Sequence, residues 1–404
     1  MLITFLSIAA DVQQMYTVIV HMQTRFSCLT TTEMRISKMT TIDYANTLAR
    51  TMMQKFDAPS LPPTGRFHYH AGVFLSGMEQ LYLLTGDEQY NVYIKKFIDT
   101  YVDADGNISG VDEGTLDDIE PCNLMFRYIA DGEERYLKPL GKLVNLMKHW
   151  ECTPEGGFWH KIPYCPNQMW LDGLYMGSPL MIKYGLLTHD DEFIKLAHKQ
   201  LMLMWDNMRD EKTGLLYHAW DTSKKAEWSD PTTGLSSFFW GRAIGWYAVA
   251  SADIYDLLPA DNKYREDFGK CAVSLCKALL KYQDTNSGLW YQVVDKGDDP
   301  NNWTETSCSC LFLYSISKLI RMNLLDKKYA DNVRRAFEGV IKYKTEFHGD
   351  DMIIKDICIG TGVCDYDGYL ARPRTENDLH GTGAFLLAST EYARLEKYIK
   401  ENKK

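Results

Sequence analysis

From Thr41 onward the apolar residues recur at every third or fourth position, and no stretch alternates long enough to read as a sheet. Tyr44–Phe56 reads as an amphipathic helix that stops at the breaker run Ala58-Pro-Ser-Leu-Pro-Pro-Thr-Gly65. A second helix is predicted over about His70–Leu84, with small residues on its early turns, and a third, charged on one face, over Glu88–Tyr101. The alternation then continues to the end of the chain. Apolar helices bearing Gly, Ser and Ala start near Asp117, Asp172, Trp240, Thr306 and Asp378. More charged helices occupy roughly Glu134–Trp150, Asp191–Met208, Tyr264–Tyr282 and Lys328–Phe347. Twelve helices in six pairs, one apolar and one amphipathic member each, predict an all-α fold. Six inner and six outer helices would close into an (α/α)6 barrel. The alternative, an open solenoid, needs polar caps at both ends, and none is evident.

A second repeat lies between the helices: Gly156-Gly-Phe-Trp-His160, Gly214-Leu-Leu-Tyr-His218 and Gly288-Leu-Trp-Tyr-Gln292. Each joins an outer helix to the next inner one, and Gly followed by apolar and aromatic residues predicts short strands or hairpins there. These loops share one end of the barrel with the inner-helix N-termini. His160, His218 and Gln292 should therefore gather at one mouth. The stretch Asn167–Pro179, NQMWLDGLYMGSP, enters the same mouth and sets Asp172 among Trp170, Tyr175 and two methionines. Asp172 has two readings: a helix N-cap, for which Asp is favoured, or a catalytic carboxylate among sugar-binding rings. Asp378, at the last inner-helix start, reads at least as well as a cap.

Composition narrows the function. The chain has 404 residues, 45% of them hydrophobic and 13% aromatic, with 25 Tyr and 10 Trp. A net charge of −10 argues against a nucleic-acid surface. Ten cysteines in a chain of this size, with no CxxC pair, read as reduced or buried thiols. A zinc site from Cys308, Cys310, Cys358 or Cys364 with His380 is a rival reading, but the spacings match no tight ligand pair. The reading adopted has no metal and no cofactor. The apolar start MLITFLSIAA lacks a preceding Lys or Arg and is too short to span a membrane. Residues 1–40 are read as a leader outside the core and 41–404 as one catalytic domain. A cytoplasmic location is expected, or a periplasmic one if the leader is a signal.

Eight segments, in order along the chain, carry a family resemblance: HYHAGVFLSG (68–77), TLDDIEP (115–121), GGFWHK (156–161), QMWLDGLYMGSP (168–179), GLLYHAWD (214–221), FWGRAIGW (239–246), GLWYQVVDKGD (288–298) and NDLHGTGAF (377–385). Together they resemble glycoside hydrolase family 105, the unsaturated rhamnogalacturonyl hydrolases, across about Thr41–Leu395. That family has an (α/α)6 barrel. The resemblance implies a substrate that is a small pectin-derived oligosaccharide ending in a 4,5-unsaturated uronic acid. It also implies that Asp172 is the general acid/base and Asp117 the second carboxylate. Whether Asp117 or Asp118 points inward stays open in the sequence.

Such chemistry begins by hydrating a vinyl ether, so one carboxyl group can donate a proton and then accept one from water. Apolar neighbours and an ionised Asp117 should raise the pKa of Asp172, against the pull of a helix N-terminus. Arg242, with its planar fork, is the first candidate for binding the uronate carboxylate, followed by Lys161 and His160. His218 reads as a hydrogen-bond partner of sugar hydroxyls or water. Tyr69, Trp170, Trp240 and Trp246 offer stacking faces, and His380 lies at the last inner-helix start. Two other classes stand beside this reading: an inverting glycosidase using Asp172 and Asp117 on saturated substrates, and a non-catalytic carbohydrate-binding barrel. The loops Pro163–Asn167, Lys224–Leu235 and Asp298–Trp303 are where the aglycone preference would be set. The oligomeric state is not legible.

Overall fold

The computed structural model describes residues 38–402, so the expected leader falls almost wholly outside the described residues. The helices are α1 (Thr41–Lys55), α2 (Tyr69–Thr85), α3 (Glu88–Tyr101), α4 (Met125–Ala130), α5 (Leu137–Lys148), α6 (Asp172–Thr188), α7 (Asp191–Met208), α8 (Gly241–Leu257), α9 (Arg265–Leu279), α10 (Thr306–Arg321), α11 (Ala330–Lys344), α12 (Tyr366–Leu370) and α13 (Leu379–Glu401). Local sequence sets most of their starts. Thr40 and Asp43 form a capping box for α1, and Asp87, Asp190 and Asp378 cap α3, α7 and α13 with their side chains.

The inner ring closes on itself. α2 packs on the 116–130 segment, that segment on α6, α6 on α8, α8 on α10, α10 on α13, and α13 on α2. The outer helices α1, α3, α5, α7, α9 and α11 lie against this ring, each apolar on one face. The closed circuit excludes the open solenoid. Glycines set the closest approach at the seam: a Cβ on Gly383 would meet the backbone of Val73 and Phe74 at 2.6 Å, and one on Gly77 would meet Leu386 at 2.6 Å. Buried apolar residues from Tyr44 to Leu395 form one continuous core. Among the described residues no helix is long and apolar enough to cross a membrane.

The second inner element departs from the expected helix. Residues 116–130 run as two 3-10 turns, Leu116–Asp118 and Glu120–Leu124, before the short α4. Pro121 cannot donate to a helical ladder, and Asp117, Asp118, Glu120 and Asn123 are all buried side chains that need separate partners. The helix predicted to run to Phe347 ends at Lys344. Its last residues instead pair as a hairpin, β3 (Thr345–His348) with β4 (Asp351–Ile354), turning at Gly349 with φ 67°.

The Gly-led loops close as tight antiparallel turns rather than as extended strands. At the Gly repeats only single bridges form, Cys152 with Phe158, Arg209 with Leu216 and Tyr291 with Thr304. Gly156, Gly214 and Gly288 take φ of 90°, 78° and 75°, the left-handed turn that glycine alone adopts without cost. The paired strands lie beside them, β1 (Gln168–Trp170) antiparallel to β2 (Ala219–Asp221). A last pair, β5 (Ile357–Cys358) with β6 (Arg374–Thr375), frames a segment that folds over the barrel mouth.

Candidate active site

Asp172 is the first residue of α6, and its side chain makes no cap; the cap position belongs to Leu171. The carboxylate turns into the mouth, with Oδ2 3.3 Å from Nε2 of His218. His218, fully buried just before β2, has its other nitrogen 2.7 Å from the Tyr369 hydroxyl. Trp240 lies against the His218 ring at 4.6 Å, and Trp170 meets it edge-on at 5.5 Å. The helix-cap reading of Asp172 is thereby replaced, whereas Asp378 does cap α13, accepting from the His380 amide.

Asp117 belongs to the same mouth. Its Oδ1 lies 3.5 Å from His160 Nε2 and its Oδ2 2.9 Å from Lys161 Nζ. A bridge between Thr115 and Lys161 and a hydrogen bond from the Leu116 amide to the His160 carbonyl hold the two segments together. Trp170 stacks on His160 at 4.5 Å, linking the two carboxylates' partners. Asp118 turns elsewhere: its Oδ2 accepts from Arg66 and from the Asp112 amide, both at 2.7 Å.

Pairing outweighs burial at both mouth carboxylates. Burial pushes the Asp117 carboxyl up, but His160 and Lys161 bring it down to about 2. Burial likewise pushes Asp172 up, and His218, then His160, pull it below the ordinary Asp value. The expectation of a raised Asp172 is therefore reversed, because it considered only apolar neighbours and Asp117 and not the two imidazoles. His160 itself is held below its usual value by burial, which its carboxylate neighbours offset only in part.

The expected binding residues all reach this region, in different states. Arg242 is buried, its terminal nitrogens donating to the carbonyls of Cys358 and Ile359, the latter at 2.6 Å, and its guanidinium lies over Trp240. Its fork is thus occupied by backbone rather than displayed. Trp240 and Trp246 are buried, so they wall the site, and Trp246 packs on Tyr175 at 4.7 Å. Trp170 is the half-buried ring. Tyr69, at the start of α2, meets Trp246 and His380 at 6.3 Å each. Lys161, with 36% of its side chain exposed, is the accessible cation beside the two carboxylates. Gln292 is committed to Cys358 Sγ and the Tyr369 carbonyl. The cysteine-based zinc reading finds no group of ligands among the described residues.

Tyr369 is the residue that sequence reading missed. It sits on α12, a five-residue helix whose only local signal is the capping Asp365. A helix that short carries no readable period, and Tyr369 reaches His218 from 151 positions away.

Comparison with known proteins agrees with this arrangement. The family model of Glycosyl Hydrolase Family 88 matches residues 44–396. A glycoside hydrolase from family 105 of Clostridium acetobutylicum (C. acetobutylicum ATCC 824) has a similar structure, with TM-score 0.81 and 34% identity, covering 87% of this chain and 99% of that one. An unsaturated rhamnogalacturonyl hydrolase of Bacillus subtilis is 25% identical over 340 residues, 81% of this chain and 90% of that protein. The unsaturated glucuronyl hydrolase of Bacillus sp. GL1, at 16% identity and TM-score 0.64 over 86% of this chain and 95% of that one, shares the fold.

Proposed function

The chain belongs to the family 88/105 glycoside hydrolases, and from that premise we propose that Asp172 is the general acid/base with which it releases a terminal 4,5-unsaturated uronic acid from an oligosaccharide. The observation that carries the assignment is the Asp172–His218 pair, 3.3 Å apart and buried at the mouth of the barrel. With Tyr369 accepting from His218 Nδ1–H, the imidazole is left neutral when its Nε2 proton passes to Asp172, so one proton can sit on either side of the pair. Burial keeps the Tyr369 hydroxyl protonated. A uronate carboxylate entering the mouth adds negative charge next to Asp172 and shifts that proton towards it.

Asp172 then donates the proton to C4 of the sugar, leaving positive charge shared by C5 and the ring oxygen. A water adds at C5 and returns its proton to Asp172, so the catalyst is regenerated. The hemiketal opens to a ketone at C5, and C1, now a hemiacetal, expels the aglycone as an alcohol. Asp117, held ionised by His160 and Lys161, stabilises the developing cation. Lys161 supplies the accessible positive charge for the uronate, with Trp170 as the stacking face. A rhamnose-linked, pectin-derived substrate is the best match to the B. subtilis relative.

The test follows the unsaturated-uronate absorbance with an unsaturated rhamnogalacturonan disaccharide and its saturated counterpart. Loss of the chromophore with wild type and not with Asp172→Asn supports the assignment. Cleavage of the saturated sugar would instead favour an ordinary inverting mechanism. Chromophore loss with both proteins would remove Asp172 from the chemistry.

A further inference from the structure

His70 and His380 stand outside the two carboxylate–imidazole pairs just described. With Asp378 they form a cluster in which one ligand atom from each residue lies within 4.8 Å of the others. His70 is on the first turn of α2, Asp378 caps α13, and His380 is on the first turn of α13. The cluster therefore sits at the seam where the first and last inner helices close the ring.

His380 is fully buried. Its Nε2 lies 2.7 Å from the Cys358 carbonyl oxygen, which can only accept, so Nε2 carries a proton. That leaves Nδ1, which lies 2.7 Å from Asp378 Oδ1 without the alignment of a regular hydrogen bond. A neutral ring would aim its lone pair at a carboxylate oxygen. A second proton on the ring or a cation shared by the two atoms would relieve this. Arg242 donates to the same Cys358 carbonyl, and its charge opposes both arrangements alike. His70 separates them: an imidazolium–aspartate pair has no use for it, whereas a shared cation would take it as a third ligand, and its ring stands 4.8 Å from that of His380 with a nitrogen in reach of the other two ligand atoms.

We propose that His70, Asp378 and His380 form a divalent transition-metal site, of the zinc type, that staples α2 to α13. The orientation of His380 is the one metal-bound histidines adopt, one nitrogen on the ion and the other N–H on a backbone carbonyl. Two imidazoles and one carboxylate suit Zn2+ and its neighbours rather than Ca2+ or Mg2+, which take oxygen ligands. Ligand atoms around such an ion stand roughly 3.0–3.6 Å apart. The widest pair in the cluster must close by about 1.5 Å, a movement a half-buried first-turn side chain such as His70 can supply. The site is independent of the catalytic assignment above, and it assigns His380 to the ion rather than to the sugar.

The test is calorimetric titration of chelator-treated full-length protein with ZnCl2, on wild type, Asp378→Asn and His70→Gln. Asn retains the helix cap, and His70 is half-buried, so both variants should fold. Wild type is expected to bind one Zn2+ and gain thermal stability on binding. Each variant should bind at least about 100-fold more weakly and lose that gain. Failure of wild type to bind stoichiometric Zn2+, or unchanged affinity in either variant, overturns the site. So does a thiolate charge-transfer band on Co2+ loading, which would put the ion on cysteines.

Discussion

Asp117 and Glu120 stand three residues apart on consecutive buried 3-10 turns, and their surroundings drive them in opposite directions. Asp117 faces the mouth, where His160 and Lys161 hold it near 2. Glu120 faces a cavity of about 80 Å³ deeper along the barrel axis, lined by Glu79, Asn123, Tyr175, Lys183, Asp253 and Tyr314 among others. There burial pushes it to about 8, against the pull of Lys183, and its Oε2 has no hydrogen-bond partner. Lys183 is itself pushed down by burial. Both ends of the lumen are buried and rich in carboxylates. What separates them is contact: at the mouth each carboxylate has an imidazole or ammonium within 3.5 Å, and at Glu120 the charges act from farther away. Burial raises all of these carboxyl groups, and the outcome depends on whether close partners outweigh it: His160 and Lys161 do at Asp117, whereas Arg66 at 2.7 Å still leaves Asp118 raised to about 6.

The comparison breaks most sharply at Asp172. Asp172→Asn is expected to lower kcat by about 10³-fold or more while leaving the melting temperature within a few degrees, measured by chromophore loss and thermal unfolding. An equal loss of stability would return the mouth to a structural role. Asp117→Asn should cost about 100-fold in kcat/KM. It should also remove a stability contribution present above the ordinary Asp value of 3.8 and lost as pH falls through that value towards 2. Unfolding free energies at pH 2.5 and pH 6 read the second effect.

Glu120→Gln tests the deeper end with the opposite sign. In the folded protein Glu120 keeps its proton to about pH 8, whereas the unfolded group loses it near 4.5, so stability falls as pH rises between those values. The Gln variant should flatten that fall by about a few kcal/mol, with little change in kcat at its optimum; urea unfolding at pH 5 and pH 8 measures it. A slope equal to that of wild type would show Glu120 already paired. Gly72→Ala is the smallest step. Its Cβ would fall 1.7 Å from Glu120 Oε2, so a stability loss of about 1–3 kcal/mol is expected, reduced in the Glu120→Gln background only if that side chain shifts.

The helical period was enough to place eleven of the twelve ring elements, and the three Gly-led loops to place the mouth, because an apolar inner face and an amphipathic outer face are written locally in residues such as those of α8 and α11. The loop repeat brought His160 and His218 to that mouth in the sequence, and the family resemblance added Asp172 and Asp117. Three things depended on distant contacts. The 116–130 segment is irregular because Pro121 and four buried polar side chains outweigh its apolar pattern. The ionisation of Asp172 follows from His218, 46 positions away in sequence and brought near by the β1–β2 pairing. The binding of Arg242 to backbone carbonyls, and of Tyr369 to His218, arises from the 357–375 segment folding over the mouth. Period and composition report what each stretch buries, whereas charge state depends on which partner lies within a few ångströms, and that distance exists only once the ring has closed.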